Sequence, residues 1–225
     1  MNMNLYKEIW ILLKKEIILE WRLKYAFNGI LLYIVSTIFV CYMSFNLQKG
    51  QLSPLTWNAL FWIILLFTAT NAIAKSFVQE NEGRQLYYYT LVSPEAIILS
   101  KIIYNTLLMW LMSLLGYVIY SIVLNNPIQD QLLFCINILL GGMGFATTLS
   151  MISAIASKSN NSSTLMAVLG FPVVLPLLLL LIKISKNAID GLALSVSYDE
   201  ISTLLAINVI VIAVSYLLFP YLWRS

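Results

Sequence analysis

Long apolar runs separated by short polar segments make up most of this chain. A helix needs about 20 apolar residues to cross the hydrocarbon core of a bilayer. Six stretches meet that length, at about residues 26–47, 57–78, 102–124, 132–156, 164–185 and 201–223. Turn-forming residues fill the connectors, as in "NNP" at 125–127 and "SKNAIDG" at 185–191. The pattern predicts an all-α integral membrane fold of six transmembrane helices, forming one domain over residues 1–225.

Lys and Arg are concentrated on one side of the six predicted spans. With the N-terminus on the inner side, the basic residues there are Lys7, Lys14, Lys15, Arg22, Lys24, Lys75, Arg84, Lys101, Lys158 and Arg224. Only Lys49, Lys183 and Lys186 fall on the outer side. Basic residues are enriched on the cytoplasmic side of membrane proteins. We therefore predict a multi-pass protein with both termini in the cytoplasm.

The stretch before the first span has a mixed helical pattern. One broad sector is apolar and contains Leu5, Ile9, Leu12, Leu13, Leu19 and Leu23, while Lys7, Lys14, Lys15 and Arg22 lie opposite, beside Glu8. Glu16 and Glu20 interrupt the apolar sector, and Ile11 and Ile18 interrupt the polar one. This pattern predicts an interfacial helix within residues 1–25, lying on the cytoplasmic membrane surface. A plain basic topology anchor would explain the charges but not the length of the helix-forming sequence.

Composition argues against a soluble fold and against several chemistries. The chain is 60% hydrophobic, 10% charged and without histidine, whereas soluble domains average about 25% charged residues. The middles of the predicted spans hold no Asp, Glu, Lys, Arg or His. Ionisable residues at such positions usually mark a proton relay or an ion pathway. The glycines of "GGMGFATTLS" at 141–150 lack the lysine of a phosphate-binding loop. We predict no catalytic, cofactor-binding or metal-binding residues, so the energy for any transport must come from another subunit.

Several span residues have a structural interpretation. Gly141, Gly142 and Gly144 predict close helix packing in the fourth span. Asn71 and Asn137 are expected to donate hydrogen bonds between helices. The aromatic residues near the span ends are expected to form an interfacial belt; they are Trp57, Trp62, Tyr104, Trp110, Tyr216 and Trp223.

The most polar segment between two spans is "FVQENEGRQLYYYTLVSPEAIILSK", residues 77–101. Ser93 is expected to be a helix N-cap, with Pro94 at the first helical position and Glu95 near the positive helix end. A connector between helices needs only a few residues, and this longer one predicts a surface for a partner protein. The residues predicted to form that docking loop are Glu80, Glu82, Gly83, Arg84, Ser93, Pro94 and Glu95.

The order Phe77-x2-Glu80-x2-Gly83-x9-Ser93-Pro94-x6-Lys101 resembles the loop between spans two and three of the haem exporter B family (CcmB). The resemblance extends along the chain through "LLKKEI" (12–17), "LLGGMGFATTLSMISAIA" (139–156) and "VLGFPVVLPLLLLLI" (168–182). In the last run, Pro172 and Pro176 match a paired-proline feature of the fifth span, where a kink is expected. The loop "KSNNSS" (158–163) departs from the family pattern, which would have a more basic pair there.

This resemblance implies a non-catalytic, permease-like subunit of an ABC-type complex in cytochrome c maturation, folded as half of an ABC-2 or type V exporter. A cytoplasmic ATPase (CcmA-like) would supply ATP hydrolysis and dock on residues 80–95 and the N-terminal helix. The expected partners are a haem-handling membrane subunit (CcmC-like), a small accessory subunit (CcmD-like), a haem chaperone (CcmE-like) and a second copy of the chain, but no nucleic acid. The implied location is the bacterial inner membrane. The complex would handle haem, although this chain lacks histidine, the commonest protein haem ligand.

Other functions remain open from the residues alone. An ABC-2-type permease half that exports a drug, lipid or polysaccharide would share the cytoplasmic loop. A lipid-modifying membrane enzyme would need acids or histidines clustered at one membrane face, and Asp199-Glu200 is the only acidic pair predicted outside. A scaffold subunit without transport activity would have the same topology.

Overall fold

The computed structural model describes residues 5–23, 25–47, 52–73, 76–77, 92–159 and 161–224. These residues are almost entirely helical and include no strand. The helices are α1 (Leu5–Leu23), α2 (Tyr25–Leu47), α3 (Pro54–Ile73), α4 (Pro94–Val123), α5 (Gln131–Ala156), α6 (Ser162–Ile189) and α7 (Tyr198–Arg224), with a 3-10 turn at Leu194–Ser197.

Six of the described helices, α2 to α7, are long and apolar enough to cross a membrane. This confirms the predicted all-α fold with six spans. One predicted boundary differs from the structure. The second span ends as a helix at Ile73 rather than 78, because Ser76 and Phe77 form a turn in which the Ser76 N–H donates to Ile73 O at 2.9 Å. The third helix begins at Pro94, ahead of its apolar run, as the Ser93-Pro94 pair predicts.

Helix α5 lies at the centre of the bundle and packs against α3, α4, α6 and α7. Its glycines allow this approach. A Cβ atom at Gly141 would lie 2.7 Å from the Trp62 ring, and one at Gly144 would lie 2.6 Å from the Leu177 side chain. At Gly142 the nearest atom would be 3.1 Å away, on the Trp110 ring. A side chain larger than glycine at these positions would meet α3, α4 or α6, so the three glycines suit the close approach of these helices to α5.

The prediction of an aromatic belt is wrong for part of its set. Trp57, Trp62 and Trp223 are buried, and Trp57 packs with Phe61 and Tyr120 in the protein core. Trp62 lies near the middle of α3, where its N–H donates to Ser185 Oγ inside the bundle.

Pro172 and Pro176 lie inside α6, which continues as one helix from Ser162 to Ile189. Both prolines are on the exposed side of the helix. Because proline lacks an N–H, the carbonyls four residues earlier lose their usual helical donor. The expected kink stays a prediction.

Candidate partner-binding face

The structure describes only part of the predicted docking loop. Four of its predicted residues lie outside the described part of the chain, namely Glu80, Glu82, Gly83 and Arg84. Ser93, Pro94 and Glu95 are described, and they form the start of α4. What the structure shows is therefore how the two ends of this loop, at Ser76-Phe77 and at Val92-Ser93, attach to the bundle.

Ser93 is the N-cap residue of α4, as predicted. Its backbone is extended, Pro94 follows in the first turn and Glu95 lies near the positive helix end, as expected. Its carbonyl accepts from the N–H groups of Ala96 and Ile97 at 3.1 and 3.3 Å. However, its side chain makes no capping hydrogen bond to the helix. The hydroxyl has another partner, so Ser93 caps the helix through its backbone position and not through its side chain.

That partner is Glu8 of α1. The Ser93 backbone N–H donates to Glu8 Oε2 at 3.0 Å, and the Ser93 hydroxyl donates to the same oxygen at 2.5 Å. Glu8 is only 8% exposed. Such charge-assisted bonds are among the stronger ones in proteins. They fasten the first helix of the chain to the residue at which the loop ends.

An apolar cluster surrounds this contact and joins four helices with the turn after α3. We call it the junction cluster; it consists of Leu12, Phe77, Ala96, Ile97, Ile98, Ile102, Ala154, Phe219 and Trp223. Within it, the Phe77 and Phe219 rings are 5.5 Å apart, and the Phe219 and Trp223 rings stack at 5.4 Å. The start of the loop and the start of α4 therefore share one packed end of the bundle.

Lys101 holds the other end of the loop. Its Nζ donates to Ser76 O at 2.5 Å and lies 4.7 Å from the centroid of the Phe77 ring. The residue is 6% exposed, so its ammonium group is held among protein atoms. Ser93 is eight positions away on the same helix, about 12 Å along the axis. Both ends of the loop are thus fixed to α4 within a short distance.

Sequence reasoning missed the role of Glu8, which it placed beside the basic residues of the first helix. The signal that could have revealed it was the pattern of acids in α1. Glu8, Glu16 and Glu20 recur at four-residue and eight-residue spacings and so share one helical sector. Acids within an otherwise apolar sector indicate polar partners in the protein.

A second polar cluster lies within the spans and has a structural role. The Trp62 Nε1–H of α3 donates to Ser185 Oγ at 2.7 Å, and Asn137 Nδ2 of α5 donates to the same oxygen at 2.8 Å. Asn137 Nδ2 also donates to Leu181 O at 2.8 Å. The predicted interhelical role of Asn137 is confirmed, whereas Asn71 is exposed.

Among the described residues, no His, Cys, Asp or Glu cluster of three or more could hold a metal ion.

The fold and the two loop contacts together define a class of protein. It is a six-span helical membrane subunit whose loop between spans two and three is attached to the bundle beside the junction cluster. The family model "CcmB protein" matches residues 7–222, nearly the whole chain. The chain belongs to the CcmB family. Membership of this family indicates that the chain is the membrane permease subunit of a haem-exporting ABC system for cytochrome c maturation. Such a subunit is generally non-catalytic and works with an ATPase. No curated protein matched the chain.

Proposed function

We propose that this chain couples ATP hydrolysis by a separate cytoplasmic ATPase to the release of haem-loaded chaperone on the outer side of the membrane. The observation that carries the proposal is the anchoring of the loop between spans two and three. Glu8 holds its end at Ser93, and Lys101 holds its start at Ser76. A displacement of this loop by a bound ATPase would be transmitted to α1 and α4, because Glu8 and Lys101, the side chains that hold the loop, are buried in those helices.

In this proposal the ATPase (CcmA-like) docks on residues 80–95, and both termini are cytoplasmic. The distribution of Lys and Arg supports the orientation, since Lys7, Lys101 and Lys158 belong to helices or loops at the end of the bundle that carries the junction cluster. The lysines Lys183 and Lys186 lie towards the opposite end, where α6 ends.

The further partners would be the CcmC-like, CcmD-like and CcmE-like subunits and a second copy of this chain.

The docking proposal is tested by co-purification of the ATPase with loop variants. Charge reversal at Glu80 or Glu82, or the change Pro94→Leu, should weaken recovery of the ATPase while membrane insertion remains intact. Lys186→Gln, at the opposite end of the bundle, is the matched control and should leave recovery unchanged. Full recovery of the ATPase with all the loop variants would contradict the proposal.

The physiological role is tested by deleting the gene and staining for covalently bound haem. Loss of c-type cytochromes, restored by the intact gene, is the expected result. Normal c-type cytochromes in the deletion strain would instead favour an ABC-2-type permease half that exports another substrate.

A further inference from the structure

The first helix, α1, divides into two faces in the structure. Its inward face packs on α4 and includes the buried residues Glu8, Leu12 and Leu13. Its outward face consists of Tyr6, Lys7, Trp10, Ile11, Lys14, Ile17, Ile18, Trp21 and Arg22, all of which are exposed. On a helical projection at 100° per residue these nine positions form one continuous sector.

This arrangement is the reverse of the one that the sequence predicts. The aliphatic sector expected to lie on the membrane is turned towards the protein, as Leu12 and Leu13 show. The side chains left outside are mostly aromatic or branched, with Tyr6 79%, Trp10 66% and Trp21 78% exposed. Tyr and Trp are the residues enriched at the boundary between lipid headgroups and acyl chains.

The charges of α1 are separated between the same two faces. Lys7, Lys14 and Arg22 lie on the outward face, where the described residues include no acid. The acids are on the inward side and have partners there. Glu8 accepts from Ser93, Glu16 pairs with Lys15 at 2.9 Å, and Glu20 Oε1 accepts from the Phe27 N–H at 2.7 Å. The outward face is therefore cationic and aromatic.

The contact between Glu20 and Phe27 also places this face relative to the membrane. Phe27 is the first residue of the apolar span in α2. Glu20, in the last turn of α1, is bonded to that residue's backbone, and Trp21 follows Glu20 directly. The C-terminal end of α1 therefore lies where the first span leaves the bilayer.

We propose that the outward face of α1 is a binding surface for anionic phospholipid. Trp10, Trp21 and Tyr6 would lie at the boundary of headgroups and acyl chains, while Lys7, Lys14 and Arg22 contact the lipid phosphates. The charge complementarity selects anionic over zwitterionic lipid, because each basic residue near an anionic surface favours binding by about fivefold. This proposal deepens the proposed function by naming what holds α1, and through Glu8 and Ser93 the loop, at the membrane.

The experiment uses the full chain in nanodiscs of phosphatidylcholine and phosphatidylglycerol, with bromine atoms on the upper acyl chain of one lipid at a time. Brominated lipid quenches tryptophan fluorescence at short range. The contribution of Trp10 and Trp21 is the difference between the wild-type protein and the variant Trp10→Phe/Trp21→Phe. At equal mole fractions, brominated phosphatidylglycerol should quench this contribution more than brominated phosphatidylcholine.

The variant Lys7→Gln/Lys14→Gln/Arg22→Gln should lose that preference but keep quenching by both lipids. Lys186→Gln, an exposed lysine far from α1, should retain the preference, and high salt should reduce it in the wild-type protein. Equal quenching by both lipids in the wild-type protein, or no quenching of Trp10 and Trp21, would overturn the proposal. So would protection of these tryptophans from lipid by added ATPase, which would assign the face to a protein partner. Because the readout needs no ATPase, failure of docking at residues 80–95 leaves the expected quenching unchanged.

Discussion

Glu8 and Ser93 are 85 residues apart in sequence and are joined by two hydrogen bonds to one carboxylate oxygen. This contact ties α1 to the residue at which α4 begins, next to the loop between spans two and three. An acid near the start of the chain thereby determines how that loop is attached.

Glu8→Ala and Ser93→Ala should each destabilise the protein by about 1–3 kcal/mol, because each removes one side of a partly buried hydrogen-bonded contact. The double variant should cost less than the sum of the two, since both single changes break the same interaction. The free energy of unfolding, measured by titration with a denaturing detergent, tests this. Lys7→Ala, the exposed neighbour of Glu8, is the control. Strictly additive losses would show that the two residues act independently.

Lys101→Met should release the start of the loop from α4. The loss of the donor to Ser76 O and of the charge over the Phe77 ring is expected to cost about 1–3 kcal/mol. ATPase recovery should fall as well, if the loop is the docking element. Lys186→Met, which changes an exposed lysine, should affect neither measurement. An unchanged free energy of unfolding in the Lys101 variant would contradict the anchoring role.

Gly141→Ala should destabilise the bundle by about 1–3 kcal/mol through overpacking. Its Cβ would meet the buried Trp62 ring at 2.7 Å and the Leu181 side chain at 2.9 Å. The matched control is Gly170→Ala in α6, where the nearest atom would be 3.8 Å away, on Ile152. Comparison of thermal unfolding midpoints tests the pair. Equal midpoints for the two variants would mean that α5 and α3 can separate without cost.

Ser185→Ala should destabilise the protein because it removes an acceptor shared by Trp62 and Asn137. Hydrogen bonds between membrane helices contribute about 0.6–1.7 kcal/mol each, and the buried Trp62 N–H would be left without its acceptor. Ser202→Ala is the control, since that exposed hydroxyl bonds only to Asp199 O in its own helix. The free energy of unfolding of the two variants should differ clearly, and similar values would argue against a contribution from the cluster.

Features that depend on local sequence were predictable. The six spans follow from the length of apolar runs, and the start of α4 follows from the backbone restriction at Pro94. The packing of Gly141, Gly142 and Gly144 was also predictable, because small residues in a span admit a neighbouring helix. Family resemblance extended these local features to a functional class, which the match over residues 7–222 confirms.

Features that depend on which surfaces meet were not predictable in the same way. An apolar sector on α1 is compatible with lipid or with α4, and only the packing of Leu12 against the start of α4 decides between them. The burial of Trp62 near the middle of α3 depends on Ser185, a residue 123 positions further along the chain that accepts its N–H.

The sequence by itself therefore determined the number of spans, the start of α4 and the family, because each follows from chain-local chemistry. The tertiary structure alone decided which face of α1 is turned outward and which residue holds Ser93. Both depend on contacts between residues far apart in the chain, where burial of Leu12 and satisfaction of Glu8 outweigh the local helical pattern.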